Sequence, residues 1–325
     1  MKKKAIGIIV IFIISIACIG LFFLTAPYIA RFSTTTTAVD LKTHPKVTVL
    51  MSTFNRADYL PGAIDSILNQ TFKDFEFIIV NDGSTDNTDA VLNAYARKDN
   101  RIKILKSKTN KGLVDSLNQG LDFAKGKYIA RMDDDDLSLP YRLEAQTRYL
   151  DTHPDITVLG SAYITRENKI LRMGGPATPE TAKIISYIRV PVLHPTTMIR
   201  RDFLNKHGIR YNNKYPSSED TDFFHQIAVK DGKILNLGNP LLIYSVKSLK
   251  TSGYHAEQAD SHNRFVIDTL APYMNADKLK PDAGGFCYIL TQLEQAAWQN
   301  RIDIDMPALR TLISNRGCRN NVDEN

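Results

Sequence analysis

The chain has 325 residues, room for one large domain or two ordinary ones with a true hydrophobic core. Its 43% hydrophobic, 9% aromatic and 23% charged residues exclude a disordered or fibrous protein. Half of the +6 net charge comes from Lys2, Lys3 and Lys4, so no nucleic-acid polymer is expected as a partner; Cys18, Cys287 and Cys318 are too few for a disulfide scaffold or a zinc site.

Residues 1–4 read as a basic tail, followed by the uncharged run AIGIIVIFIISIACIGLFFL at 5–24. About 20 predominantly apolar residues suffice to span a bilayer, and the run is longer than the roughly 7–15 residues of a signal-peptide core. A transmembrane anchor over 5–27 is therefore expected, with a cleaved signal peptide as the competing reading. Lysines before the run outnumber the lone Arg31 after it, which predicts a single-pass membrane protein with a cytoplasmic N-terminus. Residues 28–45, with STTTTAVDLKTHP, read as a polar stalk.

From Val47 short β-branched runs alternate with amphipathic stretches. Strands are expected at 46–52, 75–80, 102–107 and 127–132. The intervening helices are DYLPGAIDSILNQTF with Asp58 as N-cap, DAVLNAYARKD, and GLVDSLNQGLDFAKG with Leu113, Leu117, Leu121 and Ala124 on one face and Gly126 as C-cap. Such alternation predicts a Rossmann-like α/β fold, a mostly parallel sheet with helices on both faces. The second half reads as a hairpin at 156–173, a strand running into a helix at 194–208, a helix within 217–232 and two short strands within 233–247. Residues 251–325 are mainly helical in pattern.

In parallel sheets, ligands bind at the carboxyl ends of the strands. Two acid-rich loops lie there, VNDGSTD after the second strand and DDDD, Asp133 to Asp136, after the fourth. Four adjacent carboxylates repel unless solvated, hydrogen-bonded or bound to a cation, and a hard divalent ion takes such oxygen ligands. On an extended segment Asp133 and Asp135 would point the same way; alternatively the run is a solvated acidic turn. Asp82 either belongs to an ordinary strand-to-helix turn or accepts hydrogen bonds from a ligand such as a nucleobase. Glu219 and Asp220 suit general-base work or are helix-start acids. His194 is a ligand, a base or, by default, a packed core residue.

Together, VTVLMSTFNRADYLPGAIDSILNQTFKDFEFIIVNDGSTDNT, NKGLVDSLNQGLDFAKGKYIARMDDDDLSLPYRLEAQ, HPTTMIRRDFL and SEDTDFF resemble glycosyltransferase family 2 in order and spacing over residues 46–247. The resemblance implies the GT-A fold over 46–250, with a nucleotide-sugar-binding half at 46–150 and an acceptor half at 151–250. It also implies inverting, metal-dependent transfer from a nucleotide-diphosphate donor such as a UDP-sugar to a glycan or lipid-linked acceptor, in polysaccharide biosynthesis.

By the same resemblance Thr53, Asn55, Arg56, Asp82, Asn110, Lys111 and Asp134 match donor-site positions. Asp133 and Asp135 match the Mn2+ or Mg2+ site, and Asp220 matches the base that deprotonates the acceptor. Many relatives carry Tyr-Arg-x-His where this chain has YSVK, so that Ser245 and Lys247 replace the arginine and histidine. Lys247 is then a candidate to face the diphosphate. A catalytically degenerate carbohydrate-binding or scaffold protein is the alternative reading. Which side of the membrane the catalytic domain occupies is left open, because the charge pattern and the cytosolic location of bacterial donor sugars oppose each other.

Overall fold

The computed structural model describes residues 44–246, 252–272, 289–291, 293–295, 297 and 305–315. Four strands open the domain, β1 (Val47–Thr53), β2 (Phe75–Asn81), β3 (Ile102–Lys106) and β4 (Tyr128–Met132). They pair in parallel in the order β3-β2-β1-β4. Every residue of β2 and β4 is buried, which is why both strands read as near-continuous apolar runs, broken only by Glu76 and Asn81 in β2 and Arg131 in β4.

Helices cover both faces. On one, α1 (Leu60–Leu68), α2 (Thr88–Lys98) and α4 (Arg142–Thr152) bury Leu60, Ile64, Leu92 and Leu143 against Val49, Met51 and Phe77. On the other, α3 (Leu113–Phe123), α6 (Arg201–His207) and α7 (Glu219–Val229) bury Leu117, Leu204 and Phe224 against Leu50, Ile78 and Val80. The buried stripe of α3 starts at Val114, and Leu113 is exposed. The helix ends at Phe123, so Gly126 does not cap it: a Cβ there would meet the Thr48 backbone nitrogen at 2.3 Å. Asp58 does not cap α1 either, whose N-cap is Tyr59.

The expectation of a mostly parallel sheet needs correction. Beyond β4 the sheet continues through β8 (Met198–Arg200), β6 (Ile156–Thr165), β9 (Lys233–Tyr244) and β5 (Leu137–Ser138), with β7 (Leu171–Arg172) paired to β6. The pairings of β4 with β8, β6 with β8, β6 with β7 and β5 with β9 are antiparallel, so the sheet is mixed. Both expected halves thus share one sheet. The two short strands expected within 233–247 are one strand, β9, which keeps pairing with β6 through register shifts near Ala162 and Pro240. A further helix, α5 (Pro179–Ser186), is capped by Thr178, whose hydroxyl accepts the Thr181 N–H. Two C-terminal helices, α8 (Ser252–Leu270) and α9 (Met306–Asn315), complete the described chain.

The single-pass membrane localisation is also corrected. Among the described residues no helix is long and apolar enough to cross a membrane, and the 5–27 run that suggested one lies outside them.

Candidate active site

Parallel register aligns the ends of the strands. Thr53 lies opposite Asn81, and Met51 opposite Met132. Thr53, Asp82 and Asp133 therefore leave the same edge of the sheet.

Asp82 is buried, and its carboxylate accepts two backbone N–H groups, from Lys111 at 2.9 Å and Gly112 at 2.8 Å. The Gly112 N–H is shared with the Asn110 side-chain oxygen at 2.9 Å. Gly83 has φ +71°, and a Cβ there would lie 2.5 Å from the Thr109 carbonyl carbon, so only glycine lets the two loops close on each other. Asp82 thus braces Asn110 and Lys111 against the strand ends. Asn55, at φ 54°, fastens the β1 loop to the neighbouring turn: its side-chain oxygen accepts the Thr85 N–H at 2.8 Å, and its own N–H donates to the Ser84 hydroxyl at 3.0 Å.

Asp134 and Asp135 form a turn, so Asp133 and Asp135 do not stand on one extended segment. Asp133 pairs with Arg131, while Arg56 donates to Asp134 at 3.2 Å and Asp135 at 2.5 Å and stacks on the Tyr59 ring. Asp136 turns inward and accepts the Ser245 N–H at 2.8 Å, and its other oxygen is buried with no partner among the described residues. Burial, opposed by Arg56 and reinforced by Asp133 and Asp135, pushes the Asp134 carboxyl up to about 6. Burial and the Asp133 charge hold Asp136 well above the usual carboxylate range. Ser245, one of the YSVK departures, therefore meets the acidic turn through its backbone. Lys247 lies outside the described residues.

Glu219 and Asp220 open α7. Burial, then the charge of Asp220, pushes Glu219 up to about 8; burial also raises Asp220, whose Oδ1 accepts the Thr221 N–H at 2.7 Å. His194 is buried. Its Nε2 meets the Tyr211 hydroxyl at 2.7 Å, its ring packs edge-on to Phe224, and burial lowers its pKa, as for a packed core histidine.

Sequence reasoning missed three arginines. Arg131, within buried β4, keeps its proton against burial because Asp133 faces it, and it also feels Glu219. Arg166 donates to the Asp135 carbonyl at 3.1 Å. Arg142 is fully buried and donates to the carbonyls of Arg131 at 2.6 Å and Thr197 at 3.2 Å; burial lowers its pKa to about 9. The available signal was a charge inside an apolar strand, and Arg142 and Gln146 spaced i,i+4 on the buried stripe of α4.

The fold is similar to that of solved structures. The S. aureus TarS 1–349 complex with UDP-GlcNAc matches with a TM-score of 0.55 and 20% identity over 77% of this chain and 80% of that one. The mannosyltransferase PcManGT from Pyrobaculum calidifontis, in complex with GDP-Man and Mn2+, matches with a TM-score of 0.55 and 18% identity over 93% and 89%. The fold is GT-A-like. Glycosyl transferase family 2 matches residues 48–208. An uncharacterized glycosyltransferase of Haemophilus influenzae is 31% identical over 71% of this chain and 75% of its own length. Another, of Methanocaldococcus jannaschii, is 37% identical over 62% and 71%. The chain belongs to glycosyltransferase family 2 and is a glycosyltransferase.

Proposed function

We propose that the chain transfers a sugar from a nucleotide-diphosphate donor, a UDP-sugar by preference, to a saccharide or lipid-linked hydroxyl with inversion and with the help of Mn2+ or Mg2+. The observation that carries this reading is the buried Arg131, whose guanidinium pairs with Asp133 of the acidic turn and whose charge also acts on Glu219 and Asp220 of α7.

The residues fit a hard cation. All donors in the turn are oxygens, and one Asp136 oxygen is buried with no partner among the described residues. Among the described residues no three or more His, Cys, Asp or Glu converge on a metal position. However, ions of this kind usually take one or two carboxylates and complete their shell with substrate phosphates. Asp133 and Asp135 would hold it, and when bound it would stabilise negative charge on the departing diphosphate.

The chain's own groups do the rest. Asp82 holds Asn110 and Lys111 at the strand ends, Arg56 holds the acidic turn, and Thr53, Asn55 and Asp134 border the nucleotide side. Asp220 takes the acceptor hydroxyl proton. The acceptor oxygen bonds to the anomeric carbon as the carbon–oxygen bond to the diphosphate breaks on the opposite face, which inverts that centre. A base whose pKa burial raises toward working pH suits this role.

The test incubates the full chain with a panel of nucleotide sugars, with and without Mn2+, beside Asp135→Asn. Release of nucleotide from one donor that needs the metal and is lost in the variant is expected. A folded protein that releases nothing would instead favour the carbohydrate-binding scaffold.

A further inference from the structure

Asp220 lines a cavity of about 330 Å³ with Arg189, Ser217, Thr221, Ala259 and His262. Two of these come from α8, which lies outside the segment matched by the family. The helix is held firmly. Phe265, Val266 and Leu270 are buried with Ile184, Tyr187, Ile188 and Tyr215, and the Tyr215 hydroxyl donates to Asp268 at 2.9 Å. The wall facing Asp220 is therefore a fixed surface.

Its chemistry narrows the ligand. A small anion would meet the Asp220 carboxylate as well as the Arg189 guanidinium, so the lining does not select for one. An apolar ligand would suit Val190 and Ala259 but would strip water from Ser217, Thr221, Arg189 and His262 without replacing it, so the lining calls for a ligand with both apolar and polar surface. A ring bearing several hydroxyls, which both donate and accept, matches that lining. The volume sits at the small end of the roughly 300–1,000 Å³ of small-molecule sites. Burial, and then the charge of Arg189, lower the His262 pKa, so its imidazole is neutral at neutral pH and can donate to one hydroxyl and accept from another. Among the described residues Asp220 makes its hydrogen bonds, all to Thr221, through Oδ1, which leaves Oδ2 for an incoming proton.

We propose that this cavity is the acceptor subsite, that it takes a saccharide ring, and that His262 on α8 determines which saccharide is accepted. The inference rests on the transferase reading given above and deepens it from reaction type to acceptor class.

The experiment measures nucleotide release by the full chain from its donor, with methyl glycosides of glucose, galactose, mannose and N-acetylglucosamine as acceptor probes. One glycoside is expected to accelerate release. His262→Ala is expected to raise the KM of that glycoside at least tenfold while the donor KM stays within twofold. Ala259→Trp, which fills the cavity from the same helix, is expected to abolish the acceleration. Donor turnover that no glycoside accelerates, or variants that move both KM values together or neither, would overturn the proposal. A wild-type chain that releases nucleotide from no donor would fail at the earlier step, and the transferase reading would fall with this one.

Discussion

At the scale of single residues, the site is a problem of packing negative charge into a buried place. Arg131 is the hinge of that balance, because Asp133 and Glu219 both act on it. If Asp220 is the base, Asp220→Asn should lower kcat by ~10²–10⁴-fold, while nucleotide affinity measured by titration stays unchanged. A matching loss of affinity would move Asp220 to the donor side. Glu219 offers a pH test. Burial and Asp220 lift it from 4.5 to about 8. Between those values the folded chain holds a proton that the unfolded chain releases. Stability from this group is thus complete below 4.5 and declines as pH rises toward 8. Glu219→Gln removes the decline, so the variant should melt above wild type at pH ~8.5 and alongside it at pH ~4.5; equal melting shifts at both would remove the effect. The aspartates, Asp220 and Glu219 were legible in the sequence as residue types at strand and helix ends. Their arginine partners were not, because an ion pair across 78 residues, such as Arg56 with Asp134, leaves no local pattern.

At the scale of elements, β1, β2 and β4 could be read because burial on both faces forces near-continuous apolar runs, while β3, with Lys103 and Lys106 exposed, reads by its apolar residues interspersed with lysines. The mixed half, where β6 and β9 run parallel and the short strands antiparallel, hid for the opposite reason. β5 has 2 residues and β8 has 3, too few to show a period, and their pairing is decided by distant partners. In β9 the NP step looked like a break, yet the strand absorbs Pro240 at a register shift opposite Ala162, a place where a missing N–H is tolerated. The loop pair braced by Asp82 gives the prediction at this scale. Gly83→Ala sets a Cβ against the Thr109 backbone at φ +71°, a strain of about 1–3 kcal/mol that one of the two loops must relieve. Because Asn110 and Lys111 shift with it, the expected outcome is a raised donor KM and a lower melting temperature with acceptor KM unchanged. A change in acceptor KM alone would sever this lock from the donor site.

At the scale of the molecule, the sheet carries one apolar cluster on each face, and a third gathers α5, α8 and α9 beside them. The sequence pattern predicted residues 251–325 to be mainly helical, and the described residues 252–270 and 306–315 are helices. It did not show where they pack, since an amphipathic stripe names a buried face and not its partner. The third cluster answers that through Phe265, which is fully buried against the Tyr215 ring, with His225 edge-on to it. Removing the ring leaves a cavity where α8 packs on Tyr215 and His225, beside the proposed acceptor cavity. Phe265→Ala should therefore cost about 3–5 kcal/mol and speed hydrogen exchange across 252–270 more than across β1 and β2. Because the proposed donor residues follow β1, β2 and β4 and none belongs to this cluster, nucleotide binding should survive below the new melting temperature, while saccharide-stimulated release should not. Equal loss of both would mean that the cluster supports the whole domain, and that α8 is a structural buttress with no separate part in acceptor choice.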